Sequence, residues 1–212
     1  MKTLILDLDY TIYPTASIPS SFAQPILEAM LHYNEIQKDF NTEVLYQIYK
    51  DFWLIPFDQI RVKYNISREF SENIHFEFTK LELKQNLQPF EDYELLKSIS
   101  NPKILVTTGF NKLQKSKLTM LNIVTDYHEI HIDTLDFPEK RKGKKQIFSE
   151  IMRRLNLDSE NVLVIGDNPE SELKAGNELG LKCIQILRPG IEKSDKIRHH
   201  INTFYELESY LI

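Results

Sequence analysis

The stretch Thr3-Leu-Ile-Leu-Asp7-Leu-Asp9-Tyr-Thr11 places two aspartates directly after a short apolar run. Further apolar runs occur later in the chain, at 103–106, 128–132, 161–165 and 182–187. Between the later runs lie amphipathic stretches with helical spacing, at 112–121, 146–155 and 170–179. This alternation predicts an α/β fold, a Rossmann-like, mainly parallel sheet of five strands with helices on both faces.

Residues that begin and end helices support this prediction. Asn168-Pro169 has the residue types of an N-cap and a first helical position, and Gly180 lies where a helix-terminating glycine is expected. Near the end of the chain, Thr203 and Glu206 have the spacing of a capping box. We therefore expect a helix after the fourth strand and another after Thr203.

One long segment, 15–88, has no clear strand pattern. Pro14, Pro19 and Pro89 mark its approximate borders. Its apolar residues follow helical spacing in three groups: Phe22, Ile26, Ala29, Met30 and Tyr33; Leu45, Ile48, Phe52 and Ile55; and Phe70, Ile74, Phe78 and Leu81. We predict an all-helical domain, 15–88, inserted into an α/β domain formed by 1–14 and 89–212.

The composition is that of a globular protein, with 42% hydrophobic and 27% charged residues. A net charge of -5 argues against nucleic acid as the main partner, because phosphate backbones select basic surfaces. No apolar run approaches the roughly 18 residues of a membrane span, and the first one ends at Asp7, unlike a signal peptide. The single cysteine, Cys183, excludes an internal disulfide. We expect a soluble cytoplasmic protein with no membrane association.

Polar side chains follow three of the predicted strands. Asp7 and Asp9 follow the first strand, Thr107 ends the second, and Asp167 follows the fourth. The carboxyl ends of parallel strands form the ligand crevice of an open α/β sheet. Carboxylate oxygens suit Mg²⁺, while a hydroxyl, backbone amides and a lysine from the basic cluster 139–145 suit phosphate. An aspartate can attack phosphorus, so the pattern indicates Mg²⁺-dependent phosphate chemistry.

These residues resemble the four motifs of the haloacid dehalogenase (HAD) superfamily, in order. Asp7-Leu-Asp9-Tyr-Thr11 resembles the first motif and Thr107 the second. A lysine before the predicted helix at 146–155 resembles the third, and Gly166-Asp-Asn-Pro-Glu-Ser-Glu172 resembles the fourth. The match covers 1–14 and about 90–190, and the predicted helical insert resembles the family's cap domain.

The resemblance implies a role for each residue. Asp7 would be the nucleophile and Asp9 the general acid and base. Asp7, the backbone carbonyl of Asp9, and Asp167 would hold Mg²⁺. Thr107 and the lysine would bind the phosphoryl group. Phosphatases of the family carry the second aspartate, whereas its dehalogenases and phosphonatases do not, so Asp9 favours hydrolysis of a phosphate ester.

Three features depart from the family pattern or leave it ambiguous. Glu172 stands where an aspartate is often found, so we expect an indirect role at the metal or a contact with its ligands. Thr108 replaces an asparagine that often follows the second-motif threonine. The third-motif lysine is either Lys142 or Lys144, since both lie at spacings that family members show.

A narrower resemblance suggests a substrate class. The stretch Asp7–Pro14, together with Ile74-His-Phe-Glu-Phe78 and Leu87-Gln-Pro89, is similar to the pyrimidine 5′-nucleotidase-like branch. This likeness implies a nucleoside monophosphate or another small phosphorylated metabolite as substrate. A sugar-phosphate mutase of the same superfamily is an alternative, because it would use the same aspartates.

A phosphoreceiver signalling module is a second alternative from a different class. Receiver domains also accept phosphate on an aspartate in an α/β sheet. They need about 120 residues and no helical insert, and their phosphorylated aspartate lies after the third strand rather than the first. Both features disfavour this interpretation of the 212-residue chain.

Overall fold

The computed structural model describes residues 1–52 and 57–211. The chain forms two compact units, one of Met1–Ser17 with Lys84–Ile212 and one of Ile18–Leu83. The second unit is shorter at both ends than the predicted insert 15–88. Thr15 Oγ1 accepts a hydrogen bond from Tyr10 N, and Leu87 N donates one to Met120 O, so both margins of the predicted insert bond to the first unit.

The first unit contains a six-stranded sheet in the order β3-β2-β1-β4-β5-β6, with every neighbouring pair parallel. The strands are Thr3–Leu6 (β1), Lys103–Gly109 (β2), Glu129–Thr134 (β3), Val162–Gly166 (β4), Lys182–Ile186 (β5) and His199–Ile201 (β6). The predicted α/β fold with a parallel sheet is confirmed. The prediction of five strands missed β6, because three residues are too few to give a periodic pattern.

The α-helices in the described parts of the chain divide between the two units. They are Gln24–Gln37 (α1), Thr42–Asp51 (α2), Phe57–Lys63 (α3), Arg68–Lys80 (α4), Tyr93–Ser98 (α5), Asn111–Leu121 (α6), Gly143–Leu155 (α7), Glu172–Glu178 (α8) and Glu208–Leu211 (α9). None of them combines the length and the apolar character needed to cross a membrane.

One face of the sheet packs against α7 and α8 in an apolar core. Ile5 of β1 and Val164 of β4 belong to this buried cluster, as do Phe148 of α7 and Leu173 of α8. All four residues of β1 are buried, as expected of a central parallel strand covered on both faces. This burial fixes the backbone at the point where the chain leaves β1.

The start of α8 differs from the prediction, and its end agrees with it. The helix begins at Glu172 rather than after Asn168. Asn168 instead forms a turn, in which its Oδ1 accepts from Glu170 N at 2.9 Å and its own N donates to Glu172 Oε1 at 2.7 Å. At the other end Gly180 has φ +70, the left-handed conformation of a helix-terminating glycine.

The predicted capping box near the end of the chain is present at Thr203 and Glu206. It opens a 3₁₀ turn, Phe204–Leu207, which continues into α9. The prediction of a helix after Thr203 therefore holds, although its first turn is tighter than an α-helix.

The second unit consists of helices. Helices α2 and α4 are capped at their starts by side chains, since Asn41 Oδ1 accepts from Val44 N and Ser67 Oγ accepts from Phe70 N. Many residues of the predicted stripes are buried there, namely Ile26, Met30, Leu45, Ile48, Phe70, Ile74, Phe78 and Leu81. Ile55 of the second stripe lies outside the described residues. Apolar periodicity thus identified the core of this unit.

Gly176→Ala should lower the free energy of unfolding by about 1–2 kcal/mol, although alanine favours helix by about 1 kcal/mol. A Cβ at this position of α8 would lie 2.5 Å from Cys183 Sγ and 3.0 Å from Val164 Cγ2. Urea unfolding followed by circular dichroism measures the loss. In a double-mutant cycle, Cys183→Ala should offset part of it, and strictly additive losses would contradict this explanation.

Candidate active site

The predicted site residues lie at the carboxyl ends of three neighbouring strands. Strand β1 pairs with β2 on one side and with β4 on the other, so it lies where the strand order reverses. Asp7 follows β1, Thr107 lies near the end of β2, and Asp167 follows β4. This is the position at which open α/β sheets bind ligands.

Lys144 brings two carboxylates together. It lies in the first turn of α7, and its Nζ donates to Asp7 Oδ1 at 2.6 Å and to Glu172 Oε2 at 2.8 Å. All three side chains are buried. Burial opposes the charge on Lys144, but its two acidic partners outweigh that effect and raise the pKa of its ammonium. The lysine therefore remains cationic at the site.

The structure places Lys142 elsewhere. Its Nζ donates to Glu150 Oε2 at 2.7 Å, and about half of its side chain is exposed (53%). Lys144, whose residue exposure is 8%, is the lysine of this pair that reaches the carboxylates. The two lysines that the sequence could not separate thus have different surroundings.

Three carboxylates cluster around Lys144. One ligand oxygen from each of Asp7, Asp167 and Glu172 lies within 4.8 Å of the others. Glu172 is further constrained, because its Oε1 accepts from Asn168 N at 2.7 Å while its Oε2 accepts from Lys144. A Cβ at Gly166 would overlap the Glu172 side chain, so the glycine is needed for this approach.

The cluster holds more acid than one lysine neutralises. Burial raises the pKa of Asp7 to about 7, since the attraction of Lys144 offsets it only in part and Glu172 adds repulsion. Burial, followed by repulsion from Asp7 and Glu172, raises the pKa of Asp167 to about 8. A set of oxygen ligands whose mutual repulsion opposes ionisation fits a hard divalent cation, because the cation would favour their ionised form.

Thr107 and Thr108 face different partners. Thr107 is buried, and its Oγ1 accepts from Gln114 Nε2 at 2.6 Å. Thr108 Oγ1 donates to Asp133 Oδ2 at 3.4 Å, on the neighbouring strand β3. The second-motif threonine thus contacts helix α6, while the residue that replaces the family's asparagine contacts β3.

Asp9 has different neighbours from Asp7, and both of its carboxylate oxygens accept hydrogen bonds. Oδ1 accepts from three side chains and Oδ2 from one: Tyr13 Oη at 2.6 Å, Lys117 Nζ at 2.8 Å, Thr15 Oγ1 at 3.2 Å and Gln114 Nε2 at 3.1 Å. Burial opposes ionisation, but the charge and hydrogen bonds of these donors outweigh it and hold the pKa of Asp9 below its usual value.

The residues at the four motif positions and the acidic cluster thus lie together at the carboxyl ends of the central strands. The sequence model of the haloacid dehalogenase-like hydrolases matches residues 1–180. The chain belongs to this family of hydrolases. Its predicted membership of the HAD superfamily is therefore confirmed.

Individual relatives extend the comparison. This HAD-like hydrolase is 24% identical over 203 residues to a glyceraldehyde 3-phosphate phosphatase from Methanopyrus kandleri, with 89% of this chain and 84% of the relative covered. It is 40% identical over 67 residues to an enolase-phosphatase E1 from Aquifex aeolicus, where the match covers 32% of this chain and 29% of the relative.

A solved structure supports the fold. The crystal structure of a HAD phosphatase from Thermococcus onnurineus matches with a TM-score of 0.65 at 19% identity, covering 100% of this chain and 98% of that chain. At this identity the likeness concerns the fold alone.

Four neighbours of Asp9 in this HAD-like hydrolase were not identified from the sequence as site residues: Tyr13, Thr15, Gln114 and Lys117. A signal for two of them was present. Gln114 and Lys117 lie three residues apart, so they share one face of α6, and both are buried. Polar residues among the inward-facing positions of an amphipathic helix indicate a buried partner.

Lys144→Met should destabilise the protein far more than the matched variant Lys142→Met. Loss of Lys144 leaves buried Asp7 and Glu172 without their cation, which costs about 3–5 kcal/mol when one partner of a buried pair is removed. Loss of Lys142 should change stability little, because it breaks a solvent-exposed pair. Urea unfolding of both variants at pH 8 measures the difference, and equal losses would contradict the contacts assigned to Lys144.

Proposed function

We propose that this protein is a Mg²⁺-dependent phosphatase that hydrolyses a small phosphate monoester through an aspartyl-phosphate on Asp7. The observation that carries the proposal is the contact of buried Lys144 with Asp7. Asp7 also lies beside Asp167 and precedes Asp9 by two residues. Family membership supports hydrolysis. The names of both curated relatives support phosphate esters as the substrates.

The first chemical step forms a bond between a carboxylate oxygen of Asp7 and phosphorus, while the ester P–O bond breaks. Lys144 orients Asp7 through its 2.6 Å hydrogen bond and supplies positive charge beside the phosphoryl group. Thr107, whose oxygen accepts from Gln114, keeps its hydroxyl hydrogen for a phosphoryl oxygen.

Asp9 acts as the general acid in the first half-reaction and as the general base in the second. It donates a proton to the departing alkoxide, and it then accepts one from the water that attacks phosphorus of the aspartyl-phosphate. The second step releases inorganic phosphate and restores the Asp7 carboxylate. This division of work rests on the order of the family motifs, and the contacts agree with two separate roles, since Asp7 contacts Lys144 of α7 and Asp9 contacts Lys117 of α6.

The acidic cluster fits Mg²⁺. Asp7 and Asp167 would hold the ion together with the Asp9 backbone carbonyl, and both oxygens of Glu172 already accept hydrogen bonds. We therefore assign Glu172 to positioning Lys144 and the turn at Asn168 rather than to direct coordination. Bound Mg²⁺ would neutralise charge on the phosphate and on the carboxylates.

The substrate proposal is a small phosphorylated metabolite, with nucleoside monophosphates as the first class to test. The resemblance of 7–14 and 74–78 to the pyrimidine 5′-nucleotidase-like branch supports this class. We also propose that the unit Ile18–Leu83 acts as the cap that selects the substrate. A screen of phosphate release from nucleotides, sugar phosphates and pyridoxal phosphate tests the substrate class.

Phosphate release should require Mg²⁺ and stop when EDTA removes it, because the metal balances charge at the acidic cluster. Asp167→Asn should weaken metal affinity, so excess Mg²⁺ should restore part of its activity. Asp158→Asn removes an exposed acid and serves as the control, with activity near that of the wild type. Activity that survives thorough chelation would contradict the proposed metal dependence.

Asp7→Asn and Asp9→Asn should separate the two half-reactions. Asp7→Asn lacks the anionic nucleophile and should form no adduct. Asp9→Asn should retain the first step with an aryl phosphate, whose leaving group needs no proton, yet lose roughly 10²–10⁴-fold in turnover because water attack lacks its base.

Acid quench followed by intact-mass measurement checks this prediction. A phosphate-sized adduct should accumulate on Asp9→Asn and be absent from Asp7→Asn. An adduct that persists in Asp7→Asn and maps to another residue would overturn the assignment of the nucleophile.

A further inference from the structure

Two buried polar side chains of helix α6 donate hydrogen bonds to the carboxylate of Asp9. Lys117 Nζ lies 2.8 Å from Asp9 Oδ1, and Gln114 Nε2 lies 3.1 Å from Asp9 Oδ2. Lys117 is only 7% exposed and Gln114 only 1%. Withdrawing an ammonium from water to this extent is costly unless an acid compensates it, and Asp9 supplies that acid.

Gln114 also connects Asp9 with Thr107, the threonine proposed to bind phosphate. Its Nε2 lies 2.6 Å from Thr107 Oγ1 and 3.3 Å from the carbonyl oxygen of Thr108. The Asp9 carboxylate in its ionised form and the Thr108 carbonyl can only accept hydrogen bonds, so the amide nitrogen must face them. One amide group thus fixes Thr107 and Asp9 relative to each other.

The backbone of β2 leaves room for this arrangement. A Cβ at Gly109 would lie 2.8 Å from Gln114 Cδ and 2.9 Å from its Cγ, so a larger residue would displace the glutamine. The glycine at the end of β2 therefore permits Gln114 to reach across to the strand-end residues. Close approach of a side chain to backbone is a recurrent reason for glycine in a strand.

We infer that Gln114 and Lys117 are positioning residues for the general acid and base, a claim that rests on the proposed phosphatase function. They hold the Asp9 carboxylate in one place relative to Thr107, and hence relative to the phosphoryl group that Thr107 would bind. Neither side chain transfers a proton. Their contribution is to turnover rather than to substrate binding, since misplacing a reacting group lowers the rate of its step.

The alternative is that the pair only docks α6 onto the sheet. The two possibilities differ in how they depend on Asp9. A docking contact would lower stability and activity whether or not residue 9 can transfer a proton. A positioning contact would affect activity only while residue 9 can transfer a proton, so its loss should have little further effect once Asp9 is replaced by asparagine.

The test compares Lys117→Met with the wild type, with Lys117→Arg and with Lys115→Met, an exposed lysine on the same helix. Phosphate release from an alkyl and an aryl ester is followed at saturating Mg²⁺. Lys117→Met should lower kcat by about 10²-fold without raising KM, and it should accumulate the phosphate adduct. Lys117→Arg should restore much of kcat, and Lys115→Met should match the wild type.

The decisive comparison adds Lys117→Met to Asp9→Asn. The double variant should turn over at nearly the rate of Asp9→Asn alone, because Lys117 acts through Asp9. Multiplicative losses, or a Lys117→Met variant indistinguishable from Lys115→Met, would overturn the inference. If Lys117→Met does not fold, Gln114→Met, which keeps length but removes the amide, enters the same cycle. Because Gln114 also contacts Thr107, its loss of kcat should shrink in the Asp9→Asn background without vanishing, and fully multiplicative losses would overturn the inference.

Failure of the proposed function gives a different result. A wild-type protein that releases no phosphate from any ester would overturn that function, whatever the variants do. The positioning claim would then be decided by crystal structures of the wild type and of Lys117→Met, or of Gln114→Met in its place. Displacement of the Asp9 carboxylate from its wild-type position supports the claim, and an unmoved carboxylate overturns it.

Discussion

The Lys144 ammonium lies between Asp7 and Glu172 and balances the negative charge of these two buried acids. The positions of the neighbouring helices are consistent with this contact. Helix α7 must begin early enough to aim Lys144 at the end of β1. Helix α8 must begin at Glu172, and position 166 must be glycine, so that the glutamate reaches the same lysine. Because Asp167 adds a further carboxylate, the cluster contains more acid than Lys144 alone can neutralise, which suits a divalent cation.

Two aspartates that are almost adjacent in the sequence have opposite electrostatic surroundings. Burial near other acids raises the pKa of Asp7, whereas Lys117, Tyr13 and Gln114 lower the pKa of Asp9 in spite of its burial. A divalent cation beside Asp7 would favour its ionised form, the form that a nucleophile needs. In this protein the two pKa values diverge because the two side chains, just after the end of β1, contact different helices.

The choice between Lys142 and Lys144 illustrates what residue types and spacing leave open. Both belong to one basic cluster, and both have plausible spacing to the following helix. The structure separates them through Asp133 of β3, which accepts from Arg141 Nε at 2.8 Å and from Gly143 N at 3.0 Å. These bonds fix the loop just before α7, with the result that Lys144 points inward and Lys142 outward. The hydrogen bonds to β3 thus explain why Lys144, and not Lys142, reaches the acids, which spacing in the sequence did not show.

The α/β fold, five of the six strands and the acids at the ends of β1 and β4 could all be predicted from the amino-acid sequence. These features depend on local runs of apolar residues and on the residue types directly after each run. The side chains that contact those acids became known only from the folded structure. Lys144 contacts Asp7 across 137 residues, and Lys117 contacts Asp9 across 108. Such partners carry no local signal, because their proximity exists only after the strands have paired and the helices have packed on the sheet.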